Sequence, residues 1–168
     1  MDDLAGTGRH MTTSELRLWT SFLDAGRIID TELERHLITD HAMSHRDYEV
    51  LVRLDGADGR MRMSALARQI EASAPLVTQT VDRLVNRGWV RRDVSVEDRR
   101  GVDAVLEPDG RQALQDASGP HADLVRKLLL DRHGGDLDAI AEALGNVADH
   151  LRGHRRGGGC DDASCPLN

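Results

Sequence analysis

No stretch of this chain approaches the ~18 consecutive apolar residues that a membrane-spanning helix needs, and residues 1–10 have no apolar core of the length a signal peptide requires. Both absences predict a cytoplasmic protein with no membrane partner. There is no phosphate loop, no metalloprotease motif and no nucleophile-base-orienter arrangement, so the reading is of a protein that is not an enzyme and needs no cofactor. Aromatic residues are scarce: Trp19, Phe22, Tyr48 and Trp89 are the four, and each is in demand for packing before any other use. Cysteine is confined to Cys160 and Cys165, beyond the Gly157-Gly158-Gly159 run that is the single low-complexity stretch. Internal repeats are absent.

What is present is ordinary in bulk and uneven in distribution. A chain of 168 residues with 39% apolar and 30% charged residues allows one compact domain with a real core. The net charge of −7 looks wrong for a partner rich in phosphate. Residues 60–100, however, hold nine arginines against five acids, a local +4 that leaves −11 for the remainder. Only the local field meets a phosphate.

That basic segment has a specific layout. Ser64 is a candidate cap for a short helix whose inward face is Leu66, Ala67 and Ile70. A turn follows, and Ser73 as N-cap with Pro75 in the first turn starts a second helix. Val77, Val81, Leu84 and Val85 form its buried stripe, leaving Leu76, Gln79, Thr80, Arg83 and Arg87 on the opposite face. Gly88 ends it in the left-handed position glycine tolerates best. From Val90 to Val94 and from Val102 to Leu106 apolar and polar residues alternate, with seven residues between, which predicts a hairpin with a charged tip. Helix, turn, helix and hairpin in this order are the layout of a winged helix-turn-helix, able to enter a DNA major groove. Asp98 beside the arginines supports the wing by holding a guanidinium in bidentate geometry.

The run Val81-Asp82-Arg83-Leu84-Val85-Asn86-Arg87-Gly88-Trp89-Val90-Arg91-Arg92, then Asp98-Arg99-Arg100 and Leu106-Glu107-Pro108-Asp109-Gly110, resembles the MarR-type transcriptional regulators. The resemblance covers roughly residues 12–152. Glu107 departs from it, standing where the family usually has a threonine cap. The resemblance implies a homodimeric, cytoplasmic, ligand-responsive DNA-binding protein, most often a repressor released by a small-molecule effector. The candidate DNA-binding set is Ser73, Pro75, Leu76, Gln79, Thr80, Arg83, Arg99 and Arg100, with Arg100 facing the groove by its match to the second arginine of the family's wing motif.

Helical patterns flank the winged core. Thr12 and Glu15 have capping-box spacing ahead of a seam of Leu16, Trp19, Leu23, Leu33 and Leu37, with Gly26 and Asp30 interrupting it. Ser44 and Asp47 repeat that signal before Tyr48, Leu51 and Leu54, and Gly56 and Gly59 close the helix. After Pro108 a long helix is expected to bend at Gly119-Pro120, and a last one carries Leu137, Ile140, Leu144, Val147 and Leu151. The predicted fold is mainly α with a small β-hairpin wing: a disordered 1–11, a domain over 12–152 with winged core 44–106 and dimerisation helices 12–40 and 108–152, and a flexible tail 153–168. These seams exceed what a core of about 60 residues needs to cover itself. A homodimer built on the first and last helices uses them, and its two reading heads call for double-stranded DNA with an inverted-repeat site.

Trp19 and Tyr48 are read first as packing residues, with an effector pocket that includes His45 as the alternative. His41, His45 and His121 are read first as surface or hydrogen-bonded side chains, with tuning of a ligand site or a change of charge near neutrality as the alternative. In the tail, Cys160 and Cys165 read as free thiols on a tether. The competing reading joins them to His150 and His154, at i and i+4, as a zinc set. It would make the chain a metal- or thiol-responsive regulator on the same scaffold. A winged-helix module that binds protein is the third reading, opposed by Arg83, Arg99 and Arg100.

Overall fold

A computed structural model describes residues 11–95, 101–131 and 136–157. Two capping boxes start its first helices. Thr12 Oγ1 accepts from Glu15 N at 3.3 Å while Glu15 Oε2 accepts from Thr12 N at 2.7 Å, opening α1 (Thr13–His41). Ser44 and Asp47 do the same at 3.1 Å each way for α2 (His45–Asp55). Gly26 and Asp30 do not interrupt α1, which runs unbroken for 29 residues. An exposed mid-helix glycine costs about 1 kcal/mol, and the burial of Leu33 and Leu37 further along outweighs it.

A three-residue strand, β1 (Arg60–Arg62), leads into α3 (Met63–Gln69). Ser64 is therefore inside the first turn and does not cap it: Arg62 is the N-cap residue and makes no side-chain capping bond. Leu66 and Ile70 are buried and Ala67 half-buried, as their spacing predicts. Ser73 caps α4 (Ala74–Asn86), its hydroxyl accepting from Leu76 N at 3.4 Å. The helix closes with Gly88 at φ +71°; Gly88 N donates to Val85 O at 2.9 Å and Trp89 N to Leu84 O at 3.0 Å. Strands β2 (Val90–Val94) and β3 (Val102–Leu106) pair antiparallel from Val90 opposite Leu106 to Val94 opposite Val102. With β1 on the other edge of β3, the sheet order is β1-β3-β2.

Helix α5 (Pro108–Val125) begins without a side-chain cap, since the Glu107 carboxylate pairs with Arg91 Nε at 2.6 Å. Its start is fixed from behind instead: Glu107 N donates to Trp89 O at 2.9 Å, and a Cβ on buried Gly110 would lie 2.2 Å from that same carbonyl oxygen. Helical structure continues through Gly119-Pro120, where the bend was expected. The hydrogen bond Pro120 removes lies on an exposed face, so the freed carbonyl is not buried without a partner. A π-helical turn follows at Arg126–Leu130.

The chain divides into two units, the first ending at Leu128 and the second beginning at Leu129. In the first, Leu37, Val50, Leu51, Leu54, Leu66, Val77, Val81 and Leu84 close one core with Leu114 and Ala117 of α5. The core thus extends beyond residues 44–106 into the end of α1 and the start of α5. The second unit contains α6 (Leu137–Gly157), with Leu137, Leu144, Val147 and Leu151 exposed. No helix among the described residues is long and apolar enough to cross a membrane.

Candidate nucleic-acid interface

Helix α4 presents Pro75, Leu76, Thr78, Gln79, Asp82, Arg83 and Asn86 outward and keeps Val77, Val81 and Leu84 inside. Of the residues expected on its DNA face, Ser73, Pro75, Leu76, Gln79 and Arg83 are exposed. Thr80 is a correction. It is fully buried, and its hydroxyl donates to Leu76 O at 2.9 Å. Position 80 lies three residues after Val77 and four before Leu84, so the helical period places it on the stripe, and a back-bonded hydroxyl is what makes threonine tolerable there. Thr78 is the outward-facing threonine, and the same arithmetic on Val77, Val81 and Leu84 identifies it.

The arginines brace the helix as much as they present it. Arg83 Nη2 lies 2.9 Å from Asp47 Oδ1, the nearly buried carboxylate whose other oxygen caps α2. This uses only part of a guanidinium with five N–H donors, and the side chain remains 44% exposed. Arg87 donates to the Ala42 carbonyl and lies over the Trp89 ring, 3.4 Å from its centroid. Arg92 on β2 pairs with Asp82 and donates to Thr78 O at 3.1 Å, offsetting the one acid on the outward face of α4 and tying the hairpin to that helix.

The hairpin has its own brace. Asp93 and Asp103 stand directly opposite on β2 and β3, an unfavourable like-charge pair. Arg60 on β1 lies between them, contacting Asp93 and reaching Asp103 Oδ2 at 3.1 Å. Arg91, and then Arg60, hold the Asp93 carboxyl below the usual carboxylate range. Ser95 N donates to Gly101 O at 2.9 Å at the mouth of the loop. Asp98, Arg99 and Arg100 lie outside the described residues. Between the wing and α4 runs a groove of about 540 Å³ whose lining includes Arg62, Ser64, Thr78 and Arg92. A Cβ on Gly101 would come within 2.5 Å of the Arg62 guanidinium, the movable end of a long side chain, which would have to shift to admit it.

The effector candidates separate. Tyr48 and His45 share a cleft of about 460 Å³ with Asp30, Glu34, Arg46 and Glu49, and the Tyr48 ring is 4.4 Å from that of His121. Trp19 does not join them. It sits eleven residues before Asp30 on α1, about 16 Å along the helix axis, stacked on Phe22 at 6.3 Å and 49% exposed. Nor is Trp19 a core residue, because the first two turns of α1 have nothing buried against them. His150 and His154 form an edge-on pair with centroids 4.5 Å apart, both exposed on α6, while Cys160 and Cys165 lie outside the described residues. Among the described residues no group of three histidine, cysteine or carboxylate side chains is placed to hold a metal ion.

Residues 43–102, from the turn before α2 to the first residue of β3, match the MarR family. In structure the chain is similar to AbsC, a MarR family transcriptional regulator from Streptomyces coelicolor, with 34% identity, a TM-score of 0.81, and coverage of 86% of this chain and 99% of that one. It is also similar to Sco3205, a MarR family transcriptional regulator from the same organism solved in complex with DNA, at 31% identity and TM-score 0.81, over 84% of this chain and 94% of that one. Among curated proteins, the HTH-type transcriptional repressor YetL of Bacillus subtilis is 22% identical over 148 residues, 88% of each chain.

Proposed function

The chain belongs to the MarR family of transcriptional regulators, and from that premise we infer that it represses transcription by binding an inverted-repeat DNA site as a homodimer and lets go when a small molecule binds. The observation that carries the reading is α4, a helix tied to its neighbours through Asp47, Arg92 and the Ala42 carbonyl while Leu76, Thr78 and Gln79 stand outward. A base-reading element must be fixed in this way if its side chains are to meet base edges in one register. The likeness to Sco3205, a protein solved with DNA, supports DNA binding, and that to the repressor YetL supports the direction of the effect.

The dimer follows from apolar surface. Leu16, Leu18, Trp19 and Phe22 on α1, and Leu137, Leu144, Val147 and Leu151 on α6, are between 44% and 73% exposed in one chain. Surface of this kind on a regulator is used by a second copy. An effector fits the polar cleft beside Tyr48 and His45, which lies against the α1–α2 junction. Binding there shifts the population only in so far as the effector prefers the arrangement that DNA does not.

Selection of genomic fragments on the purified protein tests the reading. Recovery of a two-half-site sequence, protected by one dimer and with affinity falling steeply as salt rises, is the expected result. Salt-insensitive binding, or protection of a single half-site by a monomer, would refute it.

A further inference from the structure

Four of the chain's eight histidines gather at one elbow. His36 and His41 come from the end of α1, His45 from the first turn of α2, and His121 from α5. The rings of His36 and His41 are 5.4 Å apart, and those of His45 and His121 5.8 Å. Nε2 of His36, Nε2 of His41 and Nδ1 of His121 are buried with no hydrogen-bond partner among the described residues. Such packing suits uncharged rings, because protonation would place an N–H⁺ where no acceptor waits.

The neighbouring charges are few and one-sided. On α1, Asp40 lies 2.9 Å from His36 Nδ1, Asp30 lies 3.4 Å from His45 Nδ1, and Glu34 accepts the His45 backbone N–H at 2.5 Å. On α2, Arg46 is paired with Glu49 at 2.8 Å, beside Tyr48. On the α5 side, burial first, and then the facing His45, His36 and His41, make His121 harder to protonate than an ordinary histidine.

The same elbow holds the reading helix. Ala42, next to His41, takes the Arg87 guanidinium on its carbonyl, and Asp47, two residues after His45, takes that of Arg83. We propose that the cluster of His36, His41, His45 and His121 is a proton-operated control of operator binding, in which acid parts α5 from the α1–α2 elbow and loosens the seat of α4. The proposal rests on the DNA-binding reading above. Its sign follows from the neutral packing: the elbow is at full strength above the ordinary histidine pKa of about 6.5. It weakens as pH falls below that value, and the penalty is complete once pH is below the lowered value His121 has in the fold. General protonation adds positive charge and strengthens phosphate binding, so a fall in affinity with acid has the opposite sign to the unspecific effect.

The experiment uses the full chain and the duplex recovered by fragment selection, with dissociation constants measured from about pH 8 to about pH 5.5 at fixed ionic strength. Affinity should fall about tenfold or more. His121→Gln and His41→Gln should each flatten the profile, and His150→Gln on α6 should leave it as in the wild type. If His121→Gln fails to fold, His41→Gln decides alone. A flat wild-type profile with tight binding, or a wild-type fall retained in the folded variants, overturns this inference and leaves the DNA-binding reading standing. No duplex bound at any pH removes both.

Discussion

In α4, Val77, Val81 and Leu84 are at most 1% exposed, whereas in α6 Leu144, Val147 and Leu151 remain 50–57% exposed. Both helices carry an apolar stripe at helical spacing. One stripe is consumed by its own chain, closing over α2, α3 and β2, while the other, with the first turns of α1, is left facing solvent. Full burial of a leucine or valine contributes about 1.5–3 kcal/mol, so each of these side chains has roughly half of that still to gain. The difference teaches that α4 is closed by contacts within the chain, whereas α6 and the first turns of α1 leave exposed the apolar surface on which the proposed dimer rests.

The most severe test of that contrast is truncation. Removing residues 135–168 takes away all of α6 and should convert a dimer to a monomer by sedimentation, with operator binding lost in proportion to the missing half-site contact. The winged core, whose buried residues all lie before residue 118, should keep its cooperative unfolding. A truncated chain that still sediments as a dimer would place the interface elsewhere.

Paired core and surface substitutions sharpen the comparison next. Leu84→Ala should lower unfolding stability by about 2–5 kcal/mol, because a fully buried leucine leaves a cavity behind. Leu144→Ala should act mainly on the monomer-dimer equilibrium, making the unfolding midpoint depend more strongly on protein concentration. Denaturant titration at two concentrations reads both effects. If Leu144→Ala proved as destabilising as Leu84→Ala regardless of concentration, α6 would be a core helix of the single chain.

Within α4 the effects are smaller and split by face. Gln79→Ala should change sequence preference by about 1–3 kcal/mol if a bidentate base contact is lost, with unfolding unchanged. Thr80→Val should act mainly on stability, costing about 1 kcal/mol for the lost bond to Leu76 O, with a smaller effect on base preference through the 3.4 Å bond its hydroxyl accepts from Arg83. Arg83→Ala should register in both assays, since it removes an outward guanidinium and strands the Asp47 carboxylate, which is only 5% exposed. A Thr80→Val that relaxed base preference more than Gln79→Ala and Arg83→Ala do would mean the helix turns a different face to DNA.

These residues also mark where the sequence was readable. Helix α4, its Ser73 cap and the β2–β3 hairpin were legible because each carries a local signal: a 3.6-residue period, a capping oxygen, a two-residue alternation with Gly88 before it. Thr80 was misplaced because its polarity was weighed above its position in the period. Strand β1 escaped because three residues, Arg-Met-Arg, have no periodicity, and their pairing with β3 spans more than forty positions. The same distance hid the Arg83–Asp47 and Arg60–Asp103 pairs, 36 and 43 residues apart. Charge alone suggests a DNA contact at Arg83; only the fold reveals that part of its role is to hold α4 in place. Trp19 and Tyr48 looked like one pocket because helix pairing, and not sequence, decides which turn of α1 meets α2.

The smallest effect is expected at the far end. His150 and His154 lie edge to edge on an exposed face of α6, a contact two histidine rings make without a metal between them. Cys160 and Cys165 belong to a stretch of sequence, residues 158–168, whose one large apolar side chain is Leu167, so its removal takes little apolar surface from the chain. Removing residues 158–168 should therefore leave folding, dimerisation and operator affinity as they are in the full chain. Elemental analysis of the full chain supplies the opposite arm. About one zinc per chain, lost to a chelator together with a change in DNA affinity, and abolished by Cys160→Ser with Cys165→Ser, would show that the tail closes a metal site on α6. That result would make the second end of the chain, like the first, a surface completed by something the single fold does not contain.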